Sequence, residues 1–215
     1  MSFRLFGFPT TINTSFLLTI GFIGFISLGE RVELIVIFAA IAVVAVLIHE
    51  LGHAFAAKSQ GTSGPPNISL EGMAGFTRYR LLEAPGRVQS IFISVAGPLA
   101  GALPGVFLLI ALRAGVFDGQ GDIVDTAVNI GLFTTFGWSA FNLLPIVPLD
   151  GGHIMTDLIP GDVSSRRRTA SMVSIVFAVV IGLALWFRFG MDALFAAAIL
   201  GMMAWQNFSS LRRST

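Results

Sequence analysis

The sequence contains no cysteine. Without it there is no disulfide framework, no thiolate nucleophile and no cysteine-bound zinc, so any metal or nucleophile chemistry has to come from histidine, carboxylates and hydroxyls. Charge is scarce as well, at 12% of 215 residues, against about 25% in an average soluble domain. The 13 cations and 12 anions nearly cancel, and this balance gives no sign of the clustered basic surface that nucleic acid requires. What is abundant is apolar: 54% of residues are hydrophobic and 24 more are glycine. That composition excludes disorder and disfavours a water-soluble globule, leaving the lipid bilayer as the medium in which to bury the chain. A span takes about 20 residues, so six of them would use most of the length.

Six apolar runs can be traced. They are Thr14 to Leu28, Leu34 to about Ala57, Ile91 to Leu112, Ile123 to Leu144, Met172 to Phe187 and Leu194 to Trp205. The expected class is an all-α polytopic membrane protein with about six transmembrane helices. Residues 59 to 87 differ: SQGTSGPPN, then an alternating NISLEGMAGFTRYR, then APGR read as a loop carrying a small β-hairpin between spans 2 and 3. Arg4 followed by an apolar core is reminiscent of a signal peptide, but no clear small-residue cleavage site follows, so the segment is expected to stay.

In this six-span arrangement Arg4, Lys58, Arg78, Arg80, Arg87, Arg166, Arg167, Arg168, Arg212 and Arg213 share one side, and Arg31, Arg113 and Arg188 the other. The positive-inside rule makes the first side, with both termini, cytoplasmic. Arg166 to Arg168 then serve as a topological anchor in preference to a lipid or partner contact.

Inside the second run stands HELGH, His49 to His53. Residues four apart on a helix share a face, so both imidazoles can bind one zinc ion while Glu50 reaches the water that the ion activates. Two histidines and a glutamate are costly among Ile, Val, Leu and Ala at membrane depth, which favours a functional site over a satisfied histidine pair. A catalytic zinc site usually has a third protein ligand. The candidates are Asp150, Asp157, Asp162 and His153. Asp150 stands out because Pro145 and Pro148 precede it and Gly151 and Gly152 follow, a backbone tolerable at membrane depth only where protein or a water-filled cavity surrounds it. A turn or cap carboxylate is the alternative role for an Asp before Gly-Gly.

HELGH in one span, AGPLAG at Ala96 to Gly101 in the next, and NLLPIVPLDGG at Asn142 to Gly152 together resemble the site-2 protease family of intramembrane zinc metalloproteases. The resemblance implies one Zn2+ per chain held by His49, His53 and Asp150, with Glu50 as the catalytic carboxylate. It implies a single integral-membrane metalloprotease domain over residues 1 to 215, a minimal core without PDZ or CBS modules. The substrates it implies are membrane-spanning helices, cut within or near the bilayer toward its cytoplasmic side. Members of the family often carry Asn after the GPLA segment, where this chain has Gly101.

Asn142 and His153 flank the Asp150 segment as polar groups able to steady a developing oxyanion, Asn142 the stronger candidate. The hairpin from Asn67 to Arg80 offers a strand edge on which an unwound substrate could pair. Gly97, Gly101 and Gly105 form a G-x-x-x-G face suited to close helix packing. Two other classes remain: a catalytically silent binder of membrane helices, which would have no need of Glu50, and a metal or solute transporter, which would need polar residues reaching both sides.

Overall fold

A computed structural model describes residues 1–213. The chain runs β1 (Ser2–Leu5), β2 (Phe8–Ile12), α1 (Thr14–Leu28), α2 (Val32–Ser59), β3 (Asn67–Glu71), β4 (Ala74–Arg78) and α3 (Arg87–Arg113). It continues with α4 (Asp122–Leu132), a π-helical turn (Phe133–Gly137), α5 (Trp138–Asn142), α6 (Asp150–Leu158), α7 (Val163–Phe189), a 3-10 turn (Gly190–Ala193) and α8 (Leu194–Arg213). Each of the six apolar runs is helical. Four helices, α2, α3, α7 and α8, are long and apolar enough to cross a membrane, whereas α1 is a shorter apolar helix of 15 residues. The fourth run is divided among α4, the π turn and α5.

Backbone packing divides the chain into two compact units, one of Met1–Pro85 and Ala96–Ala140, the other of Gly86–Val95 with the chain from Phe141 onward. In the first unit the hairpin expected at residues 67 to 80 is present as β3 and β4, joined through Gly72 at φ 59, as the first central position of a type II′ turn requires. The all-α expectation needs correcting on one count: residues 2 to 12 form a second hairpin, turning at Phe6 and Gly7 with φ 48 and 86. β2 pairs parallel to β3, and the sheet order is β1-β2-β3-β4. This places β3 inside the sheet, so Ile68, Ser69 and Leu70 are all buried instead of alternating, and β4 is left as an edge.

One sheet face lies on α2. Phe8 and Ile68 pack with Leu51 and Ala54, while Ile12 and Leu70 join Phe16, Ile20, Ala42 and Val46. On the α2 side Ala42 and Ala54 are joined by Val46 and Leu51, and the small side chains let neighbouring elements approach closely where lipid offers no hydrophobic drive between helices.

In the second unit α7 and α8 form an antiparallel hairpin, with Ser171 Oγ 3.2 Å from Ser210 Oγ near its open end. Ile146, Leu149, Ala178 and Leu200 make its core. The outward residues are apolar, up to Phe187 at 83% exposed. A surface so greasy suits hydrocarbon and would aggregate in water.

Candidate metal centre

α2 is interrupted by nothing from Val32 to Ser59, so His49 and His53 project from successive turns of one face. Their rings are 4.9 Å apart between centroids, and the two Nε2 atoms are 3.2 Å apart. Both side chains are buried, at 2% and 8% exposure, and so is Glu50 at 4%. Two imidazole nitrogens bound to one tetrahedral zinc, with arms of about 2.0 to 2.1 Å, stand roughly 3.3 Å apart. The observed spacing therefore fits a shared ion.

α3 presents its glycines to this pair. A Cβ at Gly97 would run into the His53 ring, one at Gly101 would stand 3.3 Å from His49 Nδ1 and 3.1 Å from Ser139 Oγ, and one at Gly105 would meet Thr135 and Phe136. Across the interface, a Cβ at Gly52 would strike the Ala96 carbonyl. The G-x-x-x-G face is closely packed, Gly97 and Gly101 against the histidine pair and Gly105 against Thr135 and Phe136.

β4 supplies a residue that the sequence alone did not single out. Thr77 Oγ1 lies 2.7 Å from Glu50 Oε2 and 3.0 Å from the Glu50 carbonyl oxygen. The hydroxyl has one proton to give, and the shorter contact is to the carboxylate. Two positions earlier Gly75 passes so close to the same carboxylate that any Cβ would overlap it. β4 thus braces Glu50 from one side, and both contacts follow from the seating of the sheet on α2.

The second unit carries the remaining candidates. Asn142 ends α5 and is buried at 9% exposure. Asp150 is half-buried and opens α6, with Leu149 at the cap position. The Gly-Gly after it is a steric necessity: side chains at Gly151 and Gly152 would collide with the backbone of residues 143 to 147. The same turn is tied down by Ser174 Oγ, which accepts from Val147 N at 2.9 Å, and by Asn207 Nδ2, which donates to Val147 O at 2.7 Å.

The other carboxylates have structural partners. Asp157 pairs with Arg166 at 3.4 Å. Asp162 caps α7, accepting from Ser164 N and Ser165 N at 2.9 and 3.0 Å and from Ser164 Oγ at 2.6 Å, and these hydrogen bonds, the Ser164 hydroxyl's first, hold its carboxyl below the ordinary aspartate range. His153 is exposed.

Comparison with known proteins places this arrangement. A family model described as Peptidase M50B-like matches residues 32–147, more than half of the chain. The chain belongs to this family, the site-2 proteases. A second model, Peptidase family M50, matches residues 120–185. Among relatives, a zinc metalloprotease of Methanocaldococcus jannaschii is 28% identical over 158 residues, 73% of this chain and 44% of the relative. A protein of Bacillus subtilis named a putative zinc metalloprotease is 29% identical over 173 residues, 65% of this chain and 76% of the relative. The chain thus spans less than half the length of the archaeal relative. The solved site-2 protease from Methanocaldococcus jannaschii shares the fold at TM-score 0.67, with 22% identity, covering 96% of this chain and 95% of that one.

Zinc is the metal named for these relatives, and a donor set of two buried imidazoles without any thiolate suits it. The HELGH segment lies within the residues that the first family model matches, and the LDGG segment within those that the second matches. Thr77 and Gly75 gave no comparable signal, because their meaning depends on a sheet contact across 27 residues.

Proposed function

We propose that the chain is an intramembrane zinc endopeptidase that hydrolyses peptide bonds within or near the transmembrane helices of single-span membrane proteins. The observation that carries this reading is the buried His49–His53 pair with Glu50 held beside it by Thr77. A mere helix binder has no need for a braced carboxylate. Asp150 is proposed as the third zinc ligand. Asp157 and Asp162 are engaged in an ion pair and a helix cap, and the resemblance of the LDGG segment to the family pattern points to the same residue.

Bound zinc supplies Lewis acidity, lowering the pKa of water toward about 7 and polarising the scissile carbonyl. Glu50 takes the proton from the attacking water and delivers it to the leaving amine. Thr77 fixes the carboxylate so that this transfer needs no rotamer search. Asn142 is proposed as a donor to the developing oxyanion.

A helical substrate hides its peptide bonds in its own hydrogen bonds and must unwind first. The free edge of β4, on the strand that carries Thr77, is the proposed place for the unwound segment to pair by strand addition. Substrates with Gly, Pro or Asn in the span are preferred on that account. The whole chain acts as one metalloprotease domain in this reading, with α1 and the α4–α5 run added to the four long helices to give six crossings. At 1.5 Å per residue α1 is about 22 Å long, short for a bilayer core of about 30 Å unless the membrane thins around it. Both termini and the metal centre lie toward the cytoplasm.

The test is zinc stoichiometry on detergent-purified full chain, followed by turnover. About one zinc in the wild type, lost in His49→Ala and in Asp150→Ala, supports the three-ligand site. Glu50→Gln is expected to keep its zinc, bind a membrane substrate and fail to cut it. A zinc-loaded Glu50→Gln that still cleaves sinks the assignment of the base.

A further inference from the structure

The open end of the α7–α8 hairpin contains a cavity of about 1010 Å³ that the proteolytic site does not use. It is bounded by the first turns of α7, by the last turns of α8 and by the Val147–Pro148 turn, all within the second unit. Arg166, Arg167, Arg168 and Arg213 line it, against the single carboxylate of Asp157. Four cations less one anion leave +3 facing one space. Hydroxyl and amide groups, among them Ser171 and Asn207, share the rest of the wall with His153 and with apolar side chains such as Val163 and Leu211.

The location matters as much as the charge. The apolar stretches of both helices, Met172 to Phe187 and Leu194 to Trp205, lie on one side of the cavity along the hairpin, so it opens where the hydrocarbon ends. That is the depth of lipid phosphates, and basic pockets between helices at this depth suit anionic headgroups. An arginine that only anchors a span needs to do no more than reach water. Arg166 does otherwise: it is partly buried, its Nη1 contacts Asp157, and its Nε is buried with no hydrogen-bond partner among the described residues. A buried guanidinium N–H left unpaired is costly, and a phosphate oxygen is the acceptor that the planar fork of arginine fits best.

We propose that this cavity binds a phosphate-bearing anion, which at this depth is the headgroup of an anionic phospholipid. The site does not depend on proteolysis and is tested without it. Full-length protein is released from bilayer discs containing equal phosphatidylglycerol and phosphatidylcholine, and the retained lipids are counted by native mass spectrometry. A parallel titration uses inorganic phosphate alone.

Wild type is expected to retain phosphatidylglycerol over phosphatidylcholine. The exposed-residue double variant Arg167→Gln/Arg213→Gln should weaken that retention at least about tenfold, since each hydrogen bond to a charged group is worth about a factor of ten. Arg166→Ala should do the same, and the exposed pair keeps the test valid if Arg166→Ala misfolds. Arg188→Gln, at the opposite end of α7, should change nothing. Equal retention of the two lipids, or wild-type retention in the double variant, overturns the proposal. Inorganic phosphate that binds and displaces phosphatidylglycerol at equal concentration overturns the lipid source in favour of a soluble phosphate.

Discussion

The contact between Thr77 and Glu50 gives the sharpest prediction for a single side chain. Removing a hydrogen bond to a charged group costs about 1.5 to 3 kcal/mol, so Thr77→Val should lower kcat about ten- to a hundredfold while KM and zinc content stay near wild type. Thr77→Ser should restore most of the rate. Loss of zinc in the valine variant would instead make Thr77 a scaffold residue. Gly97 offers the complementary case. Because its missing side chain is where the His53 ring sits, Gly97→Ala is expected to reduce zinc occupancy, read by metal analysis, even though alanine is the better helix former. HELGH was legible because its meaning is local, two ligands one helical turn apart. Thr77 is not, because a threonine on an expected hairpin strand resembles any other until the strand is seated on α2.

For the elements, six apolar stretches announced six helical regions, and an alternating segment bounded by glycine and proline announced a hairpin. The pairing of residues 2 to 12 carries no such local signal. Its turn, Phe6-Gly7, is not a standard hairpin signal, Pro9 argues against a strand, and the decisive partner, β3, lies more than fifty residues away. α6 is hard to see in the sequence because Gly-Gly is a poor start for a helix, and here it is retained because no larger residue fits against the preceding turn. A pH prediction belongs with the β3–β4 hairpin. The hydrogen bond from Arg78, with its charge and the Ser69 hydroxyl, holds the Glu71 carboxyl below its ordinary 4.5. A depressed carboxylate stabilises the fold above its unfolded pKa, and that contribution is lost as pH falls through the lower folded value. Exchange protection of residues 67 to 78, measured relative to the intrinsic rate at each pH, should therefore fall as the buffer is taken below 4.5, and Glu71→Gln should flatten the response.

For the whole molecule, composition settled the class early, and the outward-facing phenylalanines and leucines of the helices agree with it. The division into two compact units was not foreseeable, since nothing in the apolar pattern separates residues 86–95 from the rest of α3. Metal linkage supplies a global prediction. A ligand that binds only the folded state stabilises it by about 2.7 kcal/mol when present at a hundred times its Kd. The zinc-loaded protein should accordingly melt higher than protein stripped by a chelator, and restoring zinc should recover the difference. Magnesium, which prefers oxygen ligands, should not. An unchanged melting temperature after complete stripping would speak against a metal site that is coupled to the fold.

The glycine face of α3 has a consequence for how this protein tolerates change. Gly97, Gly101 and Gly105 stand at every fourth position on a helix whose opposite side offers Leu99, Leu103 and Phe107 outward. If every codon of this helix were randomised and the survivors sequenced, the outer positions should drift freely among apolar letters. The inner three should return almost unaltered, so the map of permitted alphabets would beat with a period of four. That rhythm would reveal, with no structure in hand, which side of the helix is pressed against its neighbours.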